Sequence, residues 1–325
     1  MKHGVPLLFT FVAACAAGSA GTPAQNRSLA AGDHALRLRH GGILREYIVH
    51  VPRLATRGAR LPVMLAFHGG GGNAAGFKEY AGLDAVADTA NFLVVYPDGT
   101  GPLRRRLLTW NAGGCCGWAM ERNVDDVGFV IALLADLGRR TLIDDRRVYA
   151  TGHSNGAMMA YRLAAEQAGR VAAIVPMGGA MKLDRFAPAR AVAVLHIHSV
   201  DDPRALYDGG PGPPFPGTNQ RVDHRPVQEG LDQWIRSNGC ASSPTQLETR
   251  RGRPGAPDAA HTAVKLTWAP CASGADVVHW RLTGAGHGWP GGGTSGVPAA
   301  IIGSPTTVVH AAREAWSFAS HFTRH

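Results

Sequence analysis

The chain has 325 residues, 45 % of them hydrophobic, with 33 basic against 24 acidic side chains for a net charge of +9. That composition excludes a disordered or collagen-like polymer and supplies enough apolar residues for a large core. The arginines fall in short scattered groups (Arg104-Arg105-Arg106, Arg139-Arg140, Arg146-Arg147, Arg250-Arg251) without a nucleic-acid motif, so they read as solvated surface and no nucleic-acid partner is expected.

Met1-Lys2-His3 is a basic start, and Val5 to Ala14 is an apolar run followed by small residues. As a helix this run spans only about 15 Å, half the hydrocarbon thickness of a bilayer, so residues 1–20 read as an export signal and not as a membrane span. Cleavage is expected near Ala20. Val12-Ala13-Ala14-Cys15 also has the look of a bacterial lipoprotein signal, which would end at Ala14 and anchor the protein through a lipid on Cys15. No other segment is apolar enough to cross a membrane. The mature protein is therefore expected to be secreted or periplasmic. With no internal repeat and no long low-complexity linker, residues 26–325 read as a single domain.

Export implies an oxidising compartment in which disulfides form. Cys240 and Cys271 flank a polar, Pro-rich stretch that a bridge would anchor. Cys115-Cys116 would then be a vicinal disulfide or free thiols, with cross-pairing between the two groups as the other possibility. No C-x₂-C pair or histidine spacing supports zinc.

In chain order, apolar β-rich runs predict strands near 34–39, 44–51, 62–67, 92–96, 147–151, 172–177, 192–198 and 277–283. The first two form a hairpin through His40-Gly41-Gly42. Most later runs are continuously apolar, as in a parallel sheet covered on both faces. Helices are expected at 79–90, 125–139, 156–168, 226–238 and 306–322, the second capped at Asp125-Asp126 and the last with Pro305 near its first turn. Strands alternating with helices give an α/β sheet. The Gly/Pro-rich stretch 203–222 reads as a surface loop over the strand ends.

Chemistry enters at Gly152-His153-Ser154-Asn155-Gly156, which follows the strand-like Arg147-Val148-Tyr149-Ala150 and precedes a helical run. A serine between two glycines at a strand-to-helix turn is a nucleophile elbow, in which the glycines permit a sharp turn that exposes Oγ. A neutral hydroxyl needs a base, and the base needs an acid to fix its tautomer. In chain order the acid and then the base follow the serine. Asp201 and Asp202, directly after the strand ending His196-Ile197-His198, both fit the acid. His287 fits the base, because the glycines of Gly284-Ala285-Gly286-His287-Gly288 let its imidazole swing toward the elbow. Two backbone N–H groups should hold the oxyanion: that of Asn155 and one from His68-Gly69-Gly70-Gly71-Gly72-Asn73, assigned to Gly70. His68 itself reads as a brace for this loop.

These parts together resemble the exported esterase family that includes polyhydroxybutyrate depolymerases, feruloyl esterases and acetylxylan esterases. The resemblance runs from about Leu61 to Phe318. It is carried by His68 to Asn73, Val95-Tyr96-Pro97-Asp98-Gly99, Trp110-Asn111, Val124-Asp125-Asp126-Val127-Gly128-Phe129, the elbow, Asp202-Pro203, Asn238-Gly239-Cys240 and Gly286-His287-Gly288-Trp289-Pro290-Gly291. It implies an α/β-hydrolase fold, a Ser154–Asp202–His287 triad, no cofactor and no metal, with Asp201 as the fallback acid. The implied substrate is an ester, polysaccharide-linked or oligomeric, hydrolysed through an acyl-enzyme. Attack on polymeric polyhydroxybutyrate is the alternative, less expected because no polymer-binding module follows the domain. Ser199 stands where the family usually has glycine, and Ala205-Leu206-Tyr207 where it has Val-Pro-Tyr, which concerns the pocket's shape. Trp110 and Trp289 are candidate pocket walls able to stack on an aromatic acyl group, with buried packing as the other reading. Two further classes compete: a metal-dependent hydrolase built on His196, His198 and Asp201, and a non-catalytic binding protein.

Overall fold

A computed structural model describes residues 28–56, 58–215, 219–293 and 296–324, together with Met1 and Gly4. The export or lipoprotein signal, with Ala14, Cys15 and Ala20, lies outside the described residues.

The hairpin of β1 (Gly32–His40) and β2 (Ile43–Val51) turns at Gly41-Gly42, both with positive φ. Next come β3 (Leu61–Phe67), α1 (Ala74–Ala81), α2 (Leu83–Ala90) and β4 (Leu93–Pro97). The single helix expected at 79–90 is two, because Gly82 adopts a left-handed φ of 66° that ends α1 and redirects the chain. α3 (Gly117–Glu121), α4 (Asp126–Arg140), β5 (Ile143–His153), α5 (Asn155–Glu166), β6 (Ala173–Met177) and β7 (Ala193–Ser199) follow. The stretch read as a loop holds a two-residue strand, β8 (Gly210–Pro211), paired with β9 (Asp223–His224). The chain continues through α6 (Val227–Ser237), β10 (Gln246–Arg251), β11 (Thr262–Trp268), β12 (Val277–Thr283), α7 (Ala299–Ile302) and α8 (Ala311–Ala319). α8 begins five residues later than the sequence suggests. Thr306 and Thr307 give their donors to the Asp258 carboxylate and so do not enter the helix.

Ten strands form one sheet in the order β1-β2-β4-β3-β5-β6-β7-β12-β11-β10. The strands from β4 to β12 are parallel, with antiparallel strands at each end. This is the α/β-hydrolase arrangement. Period-two alternation along β3 sends Val63, Leu65 and Phe67 into one core with α4, α5 and α6. Met64 and Ala66 enter a second core with α1, α2 and α8 on the opposite face. β10 escaped the sequence reading because it is an exposed edge strand, Gln-Leu-Glu-Thr-Arg-Arg, whose charges discourage further pairing and erase the apolar signature.

Asp125 caps α4 as expected, accepting from the Gly128 N–H at 2.9 Å. Asp126 does something the sequence did not reveal. It is fully buried and pairs with the equally buried Arg45 at 2.7 Å, while its other oxygen accepts the Asn111 N–H at 2.8 Å. Arg45 also donates to the Asp98 carbonyl at 3.0 Å and stacks over Phe129 at 3.8 Å. Asp126→Ala would leave Arg45 as an uncompensated buried cation. Urea denaturation is expected to register a loss of about 3–5 kcal/mol; a loss below about 1 kcal/mol would contradict this account of the pair.

Candidate active site

Ser154 sits between the end of β5 and the start of α5 with φ 57° and ψ −120°, a conformation costing about 1–3 kcal/mol for a residue with a side chain. Its N–H donates to the Met177 carbonyl of β6 at 2.8 Å, which helps hold the turn. The flanking glycines are needed for room, since the positive φ belongs to the serine. A Cβ on Gly156 would stand 2.2 Å from the Phe67 carbonyl oxygen and 2.5 Å from that of His68, and one on Gly152 would stand 2.4 Å from the Gly156 oxygen.

The structure brings Ser154, His287 and Asp202 together. His287 Nε2 lies 2.9 Å from Ser154 Oγ, and His287 Nδ1 lies 2.7 Å from Asp202 Oδ2. Asp202 and His287 are 4 % and 7 % exposed, so their contact is little diluted by water. The other Asp202 oxygen accepts the N–H groups of Arg204 at 2.7 Å and Ala205 at 2.8 Å. Burial alone would raise this carboxyl, but the electrostatic pull of the adjoining His287 ring and the donors of His198 and His287 outweigh it, holding the group well below the ordinary carboxylate range.

Asp201, the other candidate acid, points elsewhere: its Oδ2 accepts the Gly284 N–H at 2.7 Å, tying the loop after β7 to the one that carries His287. Ser199 adds a second tie, with Oγ donating to the Ala285 carbonyl at 2.5 Å and accepting the Asp201 N–H at 3.2 Å. The His287 loop is accordingly pinned, not swinging. The Gly286 N–H donates to the Ser304 carbonyl, the His287 N–H to that of Ile302, and a Cβ on Gly286 would strike the Ile302 oxygen at 2.1 Å.

Of the glycine-loop amides, those of Gly71 and Gly72 are bonded to the carbonyls of Leu108 and Gly69. The N–H of Gly70 and that of Asn155, at the first position of α5, have no hydrogen-bond partner among the described residues. A Cβ on Gly70 would lie 3.7 Å from that of Asn155, so the two residues are neighbours. The Asn155 side chain is clamped, accepting the Trp110 N–H at 2.7 Å and donating to the Trp110 carbonyl at 3.1 Å. The His68 ring accepts the Gly99 N–H at 2.9 Å and donates to the Gly69 carbonyl at 2.7 Å, which braces the loop.

Residues 45–227, more than half the chain, match the family described as Esterase PHB depolymerase. The chain belongs to that esterase family. Its relatives include NocK of Nocardia uniformis subsp. tsuyamanensis, which carries an inferred esterase name and is 28 % identical over 83 % of this chain and 78 % of its own length. The bifunctional acetylxylan esterase/xylanase XynS20E of Neocallimastix patriciarum is 26 % identical over 74 % of this chain. Feruloyl esterase B of Piromyces equi is 25 % identical over 62 % of it. The esterase spans only 30 % and 37 % of the length of these last two. Among solved structures, native pOPH shares the fold, with a TM-score of 0.50 and 15 % identity over 82 % of this chain and 84 % of that one.

Both tryptophans proposed as pocket walls are packing residues. Trp110 is 0 % exposed, set edge-on against Phe67 and donating Nε1–H to the His68 carbonyl at 3.0 Å. Trp289 is 3 % exposed and lies edge-on to Phe77. Their aromatic bodies buried more favourably in the core than at the mouth. Cys240 and Cys271 are bridged, and Cys115 and Cys116 form a vicinal pair. His196 and His198 do not converge on a metal position with Asp201. Their ring nitrogens face each other, Tyr161 and the Ala205 carbonyl.

His153, inside the elbow motif, was not singled out from sequence. Its Nε2–H donates to the His287 carbonyl at 2.6 Å, so the elbow also grips the base loop. Burial brings His153 down to about 3, His68 to about 4 and His279 to about 3, leaving all three neutral at neutral pH. Unfolding exposes these rings, which then bind protons below about pH 6.5. The unfolded state therefore binds more protons, and stability falls as pH drops from about 6.5 toward 4. Each ring contributes up to about 1.4 kcal/mol per pH unit in this window. Calorimetry should record a Tm that declines steadily from pH 7 to pH 4.5; a flat Tm would refute the neutral buried histidines.

Proposed function

We propose that this esterase is an exported serine carboxylesterase acting through an acyl-enzyme, with Ser154 as nucleophile, His287 as base and Asp202 as acid. The observation that carries the reading is the continuous pair of contacts, 2.9 Å from Ser154 Oγ to His287 Nε2 and 2.7 Å from His287 Nδ1 to Asp202. His287 Nε2 takes the Ser154 proton as Oγ bonds to the ester carbonyl carbon. The carbonyl electron pair moves to oxygen, and the negative charge is received by the Gly70 and Asn155 N–H groups. Collapse of this intermediate expels the alcohol, which takes the proton from His287. Water then repeats the sequence on the acyl-enzyme, releasing the acid and restoring the Ser154 hydroxyl. Asp202 keeps His287 in the tautomer with Nδ1–H and stabilises the imidazolium formed at each attack.

The substrates that fit the family are feruloyl or acetyl esters of polysaccharides and hydroxyalkanoate oligomers. Export is supported by the basic-then-apolar start of the chain and by the two cysteine pairs. Among the described residues no helix is long and apolar enough to cross a membrane.

Ser154→Ala should reduce turnover of p-nitrophenyl acetate by more than about 10⁴-fold with an unchanged circular dichroism spectrum. Residual hydrolysis within tenfold of the parent would reject the mechanism. Measuring kcat/KM side by side on methyl ferulate, acetylated xylan and 3-hydroxybutyrate oligomers identifies the acyl group.

A further inference from the structure

Beneath the acid, β7 carries two histidines to which the reaction above gives no task. His196 and His198 are both 0 % exposed. His198 Nε2 lies 2.8 Å from the Ala205 carbonyl, and since a carbonyl cannot donate, this nitrogen bears hydrogen. The same nitrogen lies 3.3 Å from Asp202 Oδ2. On the other side of the ring, His198 Nδ1 is 3.0 Å from His196 Nε2, and His196 Nδ1 is 3.0 Å from the Tyr161 hydroxyl on α5.

The direction of each bond follows from the ends of the chain. Burial pushes the Tyr161 phenol up, so it keeps its proton and donates to His196 Nδ1. Burial likewise holds His196 well below its ordinary value, so the ring is neutral and its single hydrogen sits on Nε2. That hydrogen goes to His198 Nδ1, and His198 Nε2–H points at the Ala205 carbonyl and Asp202. His279 lies alongside, its ring 5.4 Å from His196, but its nitrogens are engaged with the His196 carbonyl and the Tyr207 hydroxyl, so it is not a link.

We propose that His198, fixed in one tautomer by His196 and Tyr161, is a positioning residue for Asp202. The proposal rests on the serine esterase reading. Two backbone amides hold one Asp202 oxygen, and the other must face His287 Nδ1 for the base to be oriented. His198 meets that second oxygen from the strand side and ties the turn's Ala205 carbonyl back to β7. Rotation of the carboxylate about its stem would strand the Arg204 and Ala205 N–H groups and carry Oδ2 away from both the His287 ring and His198 Nε2–H. A leucine would fill the same space with no preferred direction.

The test compares His198→Leu, His198→Gln, Tyr161→Phe and Ser154→Ala in the full-length protein. It measures kcat and KM on p-nitrophenyl acetate, and the far-downfield proton NMR resonance of the His287 Nδ1–H facing Asp202. Outer partners of reacting groups commonly contribute about 10- to 100-fold. His198→Leu should lower kcat by that factor with KM held within about twofold, and should shift or broaden the resonance. His198→Gln, whose amide N–H can replace Nε2–H, should recover most of the loss. Tyr161→Phe removes one oxygen at the far end and should cost about fivefold in kcat, the worth of one hydrogen bond, in a protein that folds even where the leucine variant does not. The proposal is overturned by a kcat within twofold of the parent in His198→Leu or Tyr161→Phe with an unmoved resonance. It is overturned equally if glutamine does no better than leucine. Turnover that survives Ser154→Ala indicts the serine mechanism instead, and the resonance still reads the Asp202–His287 geometry without turnover.

Discussion

The backbone of the elbow touches the end of β3 with no side chain between them, and the site is organised around that contact. The Phe67 and His68 carbonyls press on Gly152 and Gly156 so closely that even a methyl group would strike them. This approach places the α5 N-terminus, with the Asn155 amide, beside the glycine loop that leaves β3, with the Gly70 amide. One steric constraint thereby sets both the turn at the half-buried Ser154 and the close approach of Gly70 to Asn155. The conformational cost at Ser154 is offset by the surrounding sheet, since β5 is paired on both sides by β3 and β6.

Around this contact the protein buries a chain of polar groups that bond to one another. Asn155 grips Trp110, Trp110 grips His68, His68 grips Gly99, and the Arg45–Asp126 pair fixes Asn111 beside Trp110. Apolar contacts are nondirectional and tolerate sliding by fractions of an ångström. Hydrogen bonds in a dry interior specify both distance and angle. On the far side of the site, Ser199 and Asp201 stitch the loop that carries Asp202 to the loop that carries His287, and His153 holds the carbonyl of His287 itself. Three loops from distant parts of the chain are thus held to one another by directed bonds, not by packing alone.

Much of this was legible in the residues. All eight inferred strands are present: the hairpin showed through its alternation and its Gly41-Gly42 turn, and the inner strands through continuous apolar runs buried on both faces. The elbow, the glycine loop and His287 stood out through local backbone requirements that show as glycine spacing. What did not show were elements without a clear apolar signature or with a distant partner. β10 is a charged edge strand with β11 paired beside it, Gly82 splits a helix by a turn that periodicity does not register, and Thr306 and Thr307 are drawn out of α8 by Asp258. The glycines themselves were read for freedom of φ or for loop mobility, whereas Gly152, Gly156 and Gly286 are there for close approach.

Fold class and family were both written in neighbouring residues and their spacing, and so were the glycine-framed positions of Ser154 and His287. It took the assembled fold to set Asp202 against His287 and Asp201 against Gly284, to bury Trp110 and Trp289, and to give His153, His198, Ser199 and Asp126 their partners. Adjacent carboxylates have nearly the same sequence context, and a tryptophan is equally at home in a pocket or in packing. Which role each takes depends on groups up to about 130 residues away, brought within bonding distance only when the sheet and its loops assemble.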